Sequence, residues 1–484
     1  MSAIVHWFRR DLRVRDNTSL FHAARDGEGV VPVFVLDDHY LSGSDQAATN
    51  GAAGTAGVGP ARFRFLRESL EQLAASVSRL GGRLVLRRGP AGEALPRLLD
   101  ETGARAVYAN AEIGPYPEGR DAAAREALFA RGARLRLFQD SLLVDPERLT
   151  TDAGDPYTVY TPFARRWISE EKASPLPEPA SLDGPLAVSV PIERVRAWRD
   201  LGPDPNAPRG GEDEALRLLE RFLHGPISRY AGDRNRPELP GTSRLSPHLH
   251  FGTISPRTLH AAAADVSGIA TERGSARQWI GELAWREFYH SILFHFPRVA
   301  RESFRRGLDG LAWRDGGVRL AAWKAGETGF PLVDAAMREL TTTHWMHNRA
   351  RMVAASFLTK DLHVHWREGE RWFEHELADA DQANNNGGWQ WAAGTGTDAA
   401  PFFRIFNPVL QSRRFDPAGK YIRRFVPALS RVPDARIHEP WTMSAAEQDA
   451  FGCRIGRDYP APIVDHAAER RVALGMWEAI KKGA

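Results

Sequence analysis

Ile4-Val5-His6-Trp7-Phe8 and Val30-Val31-Pro32-Val33-Phe34-Val35-Leu36 are short, almost wholly apolar runs rich in β-branched and aromatic side chains. Runs of that length and composition read as strands buried on both faces. Around them the period changes. Thr18 is placed to cap a short helix running to Arg25, and residues 62–80 set Phe63, Leu66, Leu70, Leu73, Val77 and Leu80 at helical spacing. Leu84-Val85-Leu86, Ala106-Val107-Tyr108 and Leu135-Arg136-Leu137 are three more strands, separated by helices over 94–99 and 121–130. Strict alternation of short strands and amphipathic helices predicts an α/β region, a doubly wound parallel five-stranded sheet that binds ligands at the carboxyl ends of its strands. No G-x-G-x-x-G follows the first strand; Phe8-Arg9-Arg10-Asp11-Leu12-Arg13 is a charged loop instead. The Gly- and Ala-rich stretch 42–59 reads as a surface insertion.

The alternation then stops. Residues 174–208 are rich in proline and lack periodicity, as linkers do. Beyond Gly211 the strand signals vanish, and helical runs follow at 214–224, 277–296, 333–340, 345–358 and 367–377. The expected organisation is an α/β domain over 1–138, a long linker over 139–210 and an all-α domain over 211–484. Composition bounds the function. With 484 residues, 43% of them hydrophobic and 26% charged, the chain is globular rather than disordered. A formal charge of +3 permits an anionic partner without requiring one. All but six of the 64 basic residues are arginine, a bias that the composition of a GC-rich genome explains and that also suits bidentate phosphate contacts. The single cysteine, Cys453, excludes a disulfide framework and a multi-cysteine metal site, and the histidines lack ligand spacing with carboxylates, so no metal is expected. No apolar run reaches the roughly 18–20 residues of a membrane span, and charge at Arg9 interrupts any signal-peptide core. A cytoplasmic protein is expected. Nine of the 14 tryptophans fall between Trp279 and Trp391, a density that points to stacking on flat rings or to electron transfer.

Five segments carry candidate chemistry. Gly241-Thr242-Ser243-Arg244-Leu245-Ser246-Pro247 places hydroxyls and an arginine before a helix start, where phosphate is held well, although a plain N-cap explains Thr242 or Ser243 equally. On a helix over 279–289, Glu282, Trp285 and Arg286 share a face, a recognition surface for a base or a surface ion pair beside a core tryptophan. Asn348, Arg351 and Met352 share another, at the entry of a buried helix. Asp379 to Trp391 holds three asparagines in a row, two glycines and Trp389-Gln390-Trp391; such residues are poor helix interior, and a loop competes with a functional reading. If helical, Trp389 and Trp391 point about 200° apart and face different neighbours. Lastly, Arg413, Arg414, Lys420, Arg423, Arg424 and Arg431 surround a single acid, Asp416, as a phosphate-facing strip or a solvated face.

The opening WFRRDLRVRDN, the GTSRLSP loop, ELAWREFY, TGFPLVDAAMREL, WMHNRARMVAASFL, DLHVHWREGERWF and NNGGWQWAAGTGTDAAPFFRIFNP together resemble the photolyase/cryptochrome family, and among its members the class I cyclobutane pyrimidine dimer (CPD) photolyases. The likeness spans nearly the whole chain. It implies an α/β domain joined by a long linker to an all-α domain that holds FAD. On that likeness Tyr230, Thr242, Ser243, Arg244, Leu245 and Ser246 hold the FAD phosphates, and Trp279, Arg351, Asp379, Ala380 and Asp381 line the site. Asp379 pairs with Arg351, and Asn385 faces the reactive nitrogen of the flavin. The substrate implied is UV-damaged DNA whose dimer is flipped out of the duplex. Glu282 supports the dimer, Trp285 and Trp391 wedge it, Asn348 binds its carbonyls and Met352 packs against it, while Arg234, Arg286, Arg349, Arg404 and Gln411 meet the DNA backbone. Trp389, Trp366 and Trp313 match the family's electron-supplying chain. Residues 108–116 occupy the place of a second, antenna chromophore, an 8-hydroxy-5-deazaflavin or a 5,10-methenyltetrahydrofolate. The expected protein is a monomer without an obligate protein partner and without a membrane. The alternatives are a cryptochrome photoreceptor, disfavoured by Glu282, Met352, Asn385 and the short stretch after Trp477, and a (6-4) photolyase, disfavoured by Met352.

Overall fold

A computed structural model describes residues 3–37, 59–192, 195, 201–267, 273–398 and 404–483. Five strands, β1 (Ile4–Phe8), β2 (Val30–Leu36), β3 (Val85–Arg88), β4 (Ala106–Asn110) and β5 (Arg134–Phe138), form one parallel sheet in the order β3-β2-β1-β4-β5. β1 lies at the centre and every one of its residues is buried, as the apolar run required. Its register sets Ile4 opposite Val30 and Ala106. Because side chains alternate along a strand, Ile4 and Phe8 enter one core with α1 (Thr18–Asp26) and α2 (Pro60–Arg79). Val5 and Trp7 enter the opposite core with α3 (Ala91–Thr102) and α4 (Pro115–Phe129). The insertion expected at 42–59 lies, but for Gly59, outside the described residues.

Local chemistry shifts several boundaries. Asn17, not Thr18, caps α1, its side chain accepting from the Leu20 N–H; the Thr18 hydroxyl donates instead to Asp140 at 2.7 Å. α4 begins at Pro115 rather than at 121, because proline at the first position has the helical φ and no N–H to satisfy. After the helix Tyr160–Ser169, residues 170–192 and 201–210 contain no strand or α-helix among the described residues. This segment lies against the sheet: the Val30 N–H donates to the Asp183 carbonyl and the Val190 N–H to that of Leu86. At Gly184 a Cβ would collide with the Val30 backbone, so only glycine permits that approach.

From Glu212 onward the regular structure among the described residues is helical, with isolated bridges only. Among the described residues no helix is long and apolar enough to cross a membrane. The largest departure from local propensity is at Gln382–Ala393, which is a helix despite Asn384, Asn385, Asn386, Gly387 and Gly388. Asn385 and Asn386 donate to the backbone oxygen and Oε1 of Glu370 (3.0 and 2.7 Å), and Asn386 accepts from Gln390 at 2.9 Å. Those bonds satisfy amides that would otherwise compete with the helix. The chain divides into two compact units, one of Met1–Ala231, Ser243–Ala300 and Ala378–Ala383, the other of Gly232–Thr242, Arg301–Leu377 and Asn384–Ala484.

In the first unit a buried ion network joins the loop after β1 to the segment after β5 and to the helix Pro256–Ser267. Asp140 accepts from Arg13 at 2.5 Å and Arg257 at 2.7 Å, and Arg257 also reaches Asp16 at 2.9 Å. Burial alone would raise the Asp140 pKa, but Arg13 and Arg257 hold it far below the usual carboxylate range. Its stabilising contribution is therefore present above the ordinary carboxylate pKa and is lost as acid protonates it. Asp140→Ala should destabilise the protein by about 3–5 kcal/mol, because it strands buried guanidinium charge. Denaturant unfolding at pH 7 measures this; a change below 1 kcal/mol would show that the network relaxes at no cost.

Candidate functional site

The long helix Arg273–His295 in the first unit carries Trp279, Glu282, Trp285 and Arg286. Trp279 is buried against Phe222, as is Tyr230, with ring centroids 5.3 and 6.0 Å from it. Glu282, Trp285 and Arg286 are all half-buried, but they face different neighbours. Trp285 stacks flat on Tyr160, centroids 3.5 Å apart and planes within 8°, and the Tyr160 hydroxyl donates to the Gly281 carbonyl at 3.0 Å. One face of the indole is thus fixed by the protein. Arg286 donates to the Ser141 carbonyl at 2.8 Å and lines a cavity with Arg10, Glu112, His250, His290 and Asp381. Glu287 of the same motif is structural. Its carboxylate accepts from the Leu143 and Val144 N–H groups and from Trp167 Nε1.

In that cavity His290 Nε2 lies 3.4 Å, Arg10 Nη1 3.7 Å and His250 Nδ1 3.9 Å from Asp381. Burial pushes the Asp381 pKa up, but His290, His250 and Arg10 around it outweigh burial and hold it well below the carboxylate range. Asp381 is therefore an anion at a cavity wall, able to accept a ligand N–H. Asp379 and Ala380 beside it are buried. Ser243, Arg244 and Ser246 are half-buried to exposed at the start of the helix Ser246–Phe251, with Leu245 buried beneath them. Arg244 has φ +57°, a left-handed turn that bends the loop at that point.

In the second unit, Thr242 is half-buried, and the helix Asn348–Lys360 starts at His347, whose ring accepts from the Arg349 N–H. Asn348 and Met352 share its solvent-facing side, Nδ2 and Sδ 4.0 Å apart. The Arg351 Nε donates back to the Met346 carbonyl at 2.8 Å. Arg349 donates to Asn235 and lies over the Phe415 ring at 4.4 Å; Arg414 lies over the same ring at 5.2 Å. Burial, then the charges of Arg234 and Arg414, lower the Arg349 pKa. Three mutually repelling guanidinium groups form an electropositive cluster that an anion relieves. Arg404 is exposed, and Gln411 is half-buried on the helix Pro408–Phe415. The basic strip is less bare than its sequence: Arg413 pairs with Glu439 and Arg423 with Asp434, acids supplied from later in the chain.

The same unit holds Trp313, Trp366 and Trp389, the three tryptophans expected to supply electrons. Trp389 and Trp366 are buried and Trp313 is half-buried. Trp389 packs edge-on to Phe373 at 4.9 Å and to Trp323 at 6.0 Å, over Gly369, where a Cβ would overlap the indole. Trp391 is half-buried on a different face of the helix, as two residues' rotation requires.

Two family models match the chain in order: "DNA photolyase" over residues 4–180 and "FAD binding domain of DNA photolyase" over 279–479. A deoxyribodipyrimidine photo-lyase of Halobacterium salinarum is 42% identical over 98% of each chain. Among solved structures, a class III photolyase from Agrobacterium tumefaciens superposes with TM-score 0.91 at 39% identity, covering 100% of this chain and 98% of that one. A Synechocystis cryptochrome gives 0.89 at 30% identity, covering 98% and 99%. This chain belongs to the DNA photolyase family.

For a photolyase the residues present fit FAD: an ionised Asp381 at a cavity wall, a hydroxyl- and arginine-bearing loop at 243–246, and buried aromatics at Tyr230 and Trp279. The sequence reading of this photolyase did not single out Tyr160, His365 or Glu370. Tyr160 and Glu370 meet partners distant in sequence, His365 meets its neighbours Trp366 and Arg367 as well as the distant Trp313, and only the WREGE run, by placing Glu370 four residues after Trp366, carried a local signal. Burial raises the Glu370 pKa to about 7, so its carboxyl stays protonated up to near neutrality under Asn385 and Asn386. A carboxyl raised in the folded state stabilises at acid pH and loses that contribution as pH rises through the folded value. Glu370→Gln should therefore gain stability relative to wild type between pH 5 and 8, by up to about 3 kcal/mol. Melting temperatures across that range test it; a constant gap would place the Glu370 pKa near its ordinary value.

Proposed function

We infer that this protein is a light-driven carbon–carbon lyase that repairs cyclobutane pyrimidine dimers in DNA. The observation that carries the reading is the likeness over 98% of each chain to a deoxyribodipyrimidine photo-lyase, with both halves of the family model in order. Reduced FAD, when bound, supplies under blue light the electron that opens the cyclobutane ring and recovers it afterwards.

The residues do the rest. Tyr230, Thr242, Ser243, Arg244, Leu245 and Ser246 hold the cofactor's phosphates, with Trp279, Arg351, Asp379 and Ala380 around it. Asp381 accepts from its ring, and Asn385 holds a polar amide at its reactive edge. Trp285, with one face fixed by Tyr160, offers the other to the flipped dimer, and Trp391 closes on it. Asn348 and Met352, sharing one exposed face, supply an amide to the pyrimidine carbonyls and an adaptable apolar surface. Glu282 donates or accepts a hydrogen bond at the dimer. Arg234, Arg349 and Arg404, with Gln411, bind the phosphates on either side. Arg286 fits the cavity better than the backbone, given its bond to Ser141. Electrons for resting enzyme enter through Trp313, Trp366 and Trp389. The helical region 211–484 carries FAD and DNA, and a second chromophore, deazaflavin or folate, sits by residues 108–116. We place the protein in the cytoplasm as a monomer.

Repair by purified, reduced protein under blue light, on oligonucleotides carrying a CPD or a (6-4) product, separates the readings. CPD repair alone is expected; repair of neither would favour a photoreceptor, and (6-4) repair would reverse the substrate. In the same assay Glu282→Ala should lower the repair yield about tenfold or more while FAD stays bound, the loss of a bond to a charged group being worth about 1.5–3 kcal/mol. An unchanged yield removes Glu282 from the site. Trp389→Phe keeps aromatic volume but is far harder to oxidise. It should abolish photoreduction of oxidised enzyme yet spare repair by chemically reduced enzyme, and normal photoreduction would break the assigned chain.

A further inference from the structure

His365 stands between two of these tryptophans. Its ring centroid lies 5.7 Å from Trp366, nearly parallel at 26°, and 5.3 Å from Trp313, edge-on at 61°. The same ring caps the helix Trp366–Glu376: its Nδ1 accepts from the Arg367 N–H at 3.2 Å. An imidazole nitrogen that accepts carries no proton, so the neutral ring holds its hydrogen on Nε2. We propose that His365 is a pH-dependent positioning residue of the electron path, its neutral ring holding Trp366 on its face and Trp313 at an angle to it, and its protonation interrupting transfer between them. The inference rests on the electron path assigned above.

The step is a one-electron exchange. With oxidised FAD bound and excited by light, Trp366 would supply an electron to it through Trp389. Trp313 then gives one electron to the Trp366 radical cation, which returns to neutral indole while Trp313 becomes the radical cation. An added thiol reductant returns that electron. Protonating His365 acts on this exchange twice. It sets a positive charge against both indoles, where each must become a cation in turn. It also removes the lone pair that accepts from Arg367, so the ring loses the bond that fixes its orientation. The surroundings favour the neutral ring. Burial, then Arg367, lower the His365 pKa, opposed by Glu368 and Asp309, while Arg371 adds to the lowering. Beside it, His363 is engaged by Glu469, which also takes Arg314. The C-terminal helix covers the outer end, where Met476, Trp477 and Ile480 pack with Trp313 on Leu308 and Leu311.

The test is photoreduction of the oxidised holoprotein with dithiothreitol from pH 8.5 down to 5. The rate should fall several-fold below pH 6.5 in wild type and stay flat in His365→Asn, whose amide oxygen can still cap the helix but cannot titrate. A second readout is NMR of ¹³C-labelled histidines in the holoprotein. The resonance missing from His365→Asn should titrate with the midpoint of the photoreduction profile. A wild-type pH profile in His365→Asn, or a midpoint that differs from the titration, overturns the proposal. Trp313→Phe separates the two levels. If it photoreduces normally, the path itself is wrong and the proposal falls with it; if it is slowed while His365→Asn keeps the wild-type profile, only the role of His365 fails.

Discussion

The bond that most of the first unit depends on is the one from Arg13 to Asp140. It ties the charged loop after β1 to the segment leaving β5, and Arg257 carries the tie into a helix more than a hundred residues away. An ion pair this deep is stable only when each charge is fully matched. Here Asp140 is matched by two guanidinium groups, the Thr18 hydroxyl and the Thr18 N–H. The arginines of the opening segment, which read as a charged loop, are therefore fold-determining. The same holds for Arg9, engaged by Asp121, and for Glu212, which caps the Val14 and Arg15 N–H groups.

The second unit is organised around an aromatic rather than an ionic constraint. Trp389 lies over Gly369, and a single methyl there would displace it. Bulky indole against bare backbone fixes where the helix 382–393 runs. The asparagine run then follows from position: Asn385 and Asn386 reach Glu370 one turn beyond Trp366. Burial of that carboxyl keeps it protonated up to neutrality, which removes a charge that would otherwise sit under the amides. Under the proposed function, electron transfer, flavin chemistry and helix packing share a few residues here, so substitutions in this region act on more than one property.

Much of the fold was legible. The five strands were found because a parallel strand buried on both faces must be apolar throughout, and the helices because their apolar positions repeat at 3.6 residues. The shared face of Asn348 and Met352 followed from a spacing of four. What the spacing did not carry was the helix at 384–388, where side-chain bonds to Glu370 outweigh the preference of Asn and Gly for turns, and the partners of the basic strip, Glu439 and Asp434, which come from later in the chain. Glu282, Trp285 and Arg286 also share a helical face by spacing alone, yet Trp285 lies on Tyr160 while Arg286 lines the Asp381 cavity.

The sequence by itself determined the alternation of elements, the change from α/β to helical structure, and, through long ordered motifs, the family and its chemistry. Periodicity and motif are local properties, and they survive in a linear string. The tertiary structure alone decided the strand order, the stack of Tyr160 on Trp285, the protonation of Glu370 and the place of His365 between Trp366 and Trp313. Strand order depends on which edges meet, a pKa on the dielectric and charges that folding brings near, and a stack on the angle between elements, none of which is encoded by spacing along the chain.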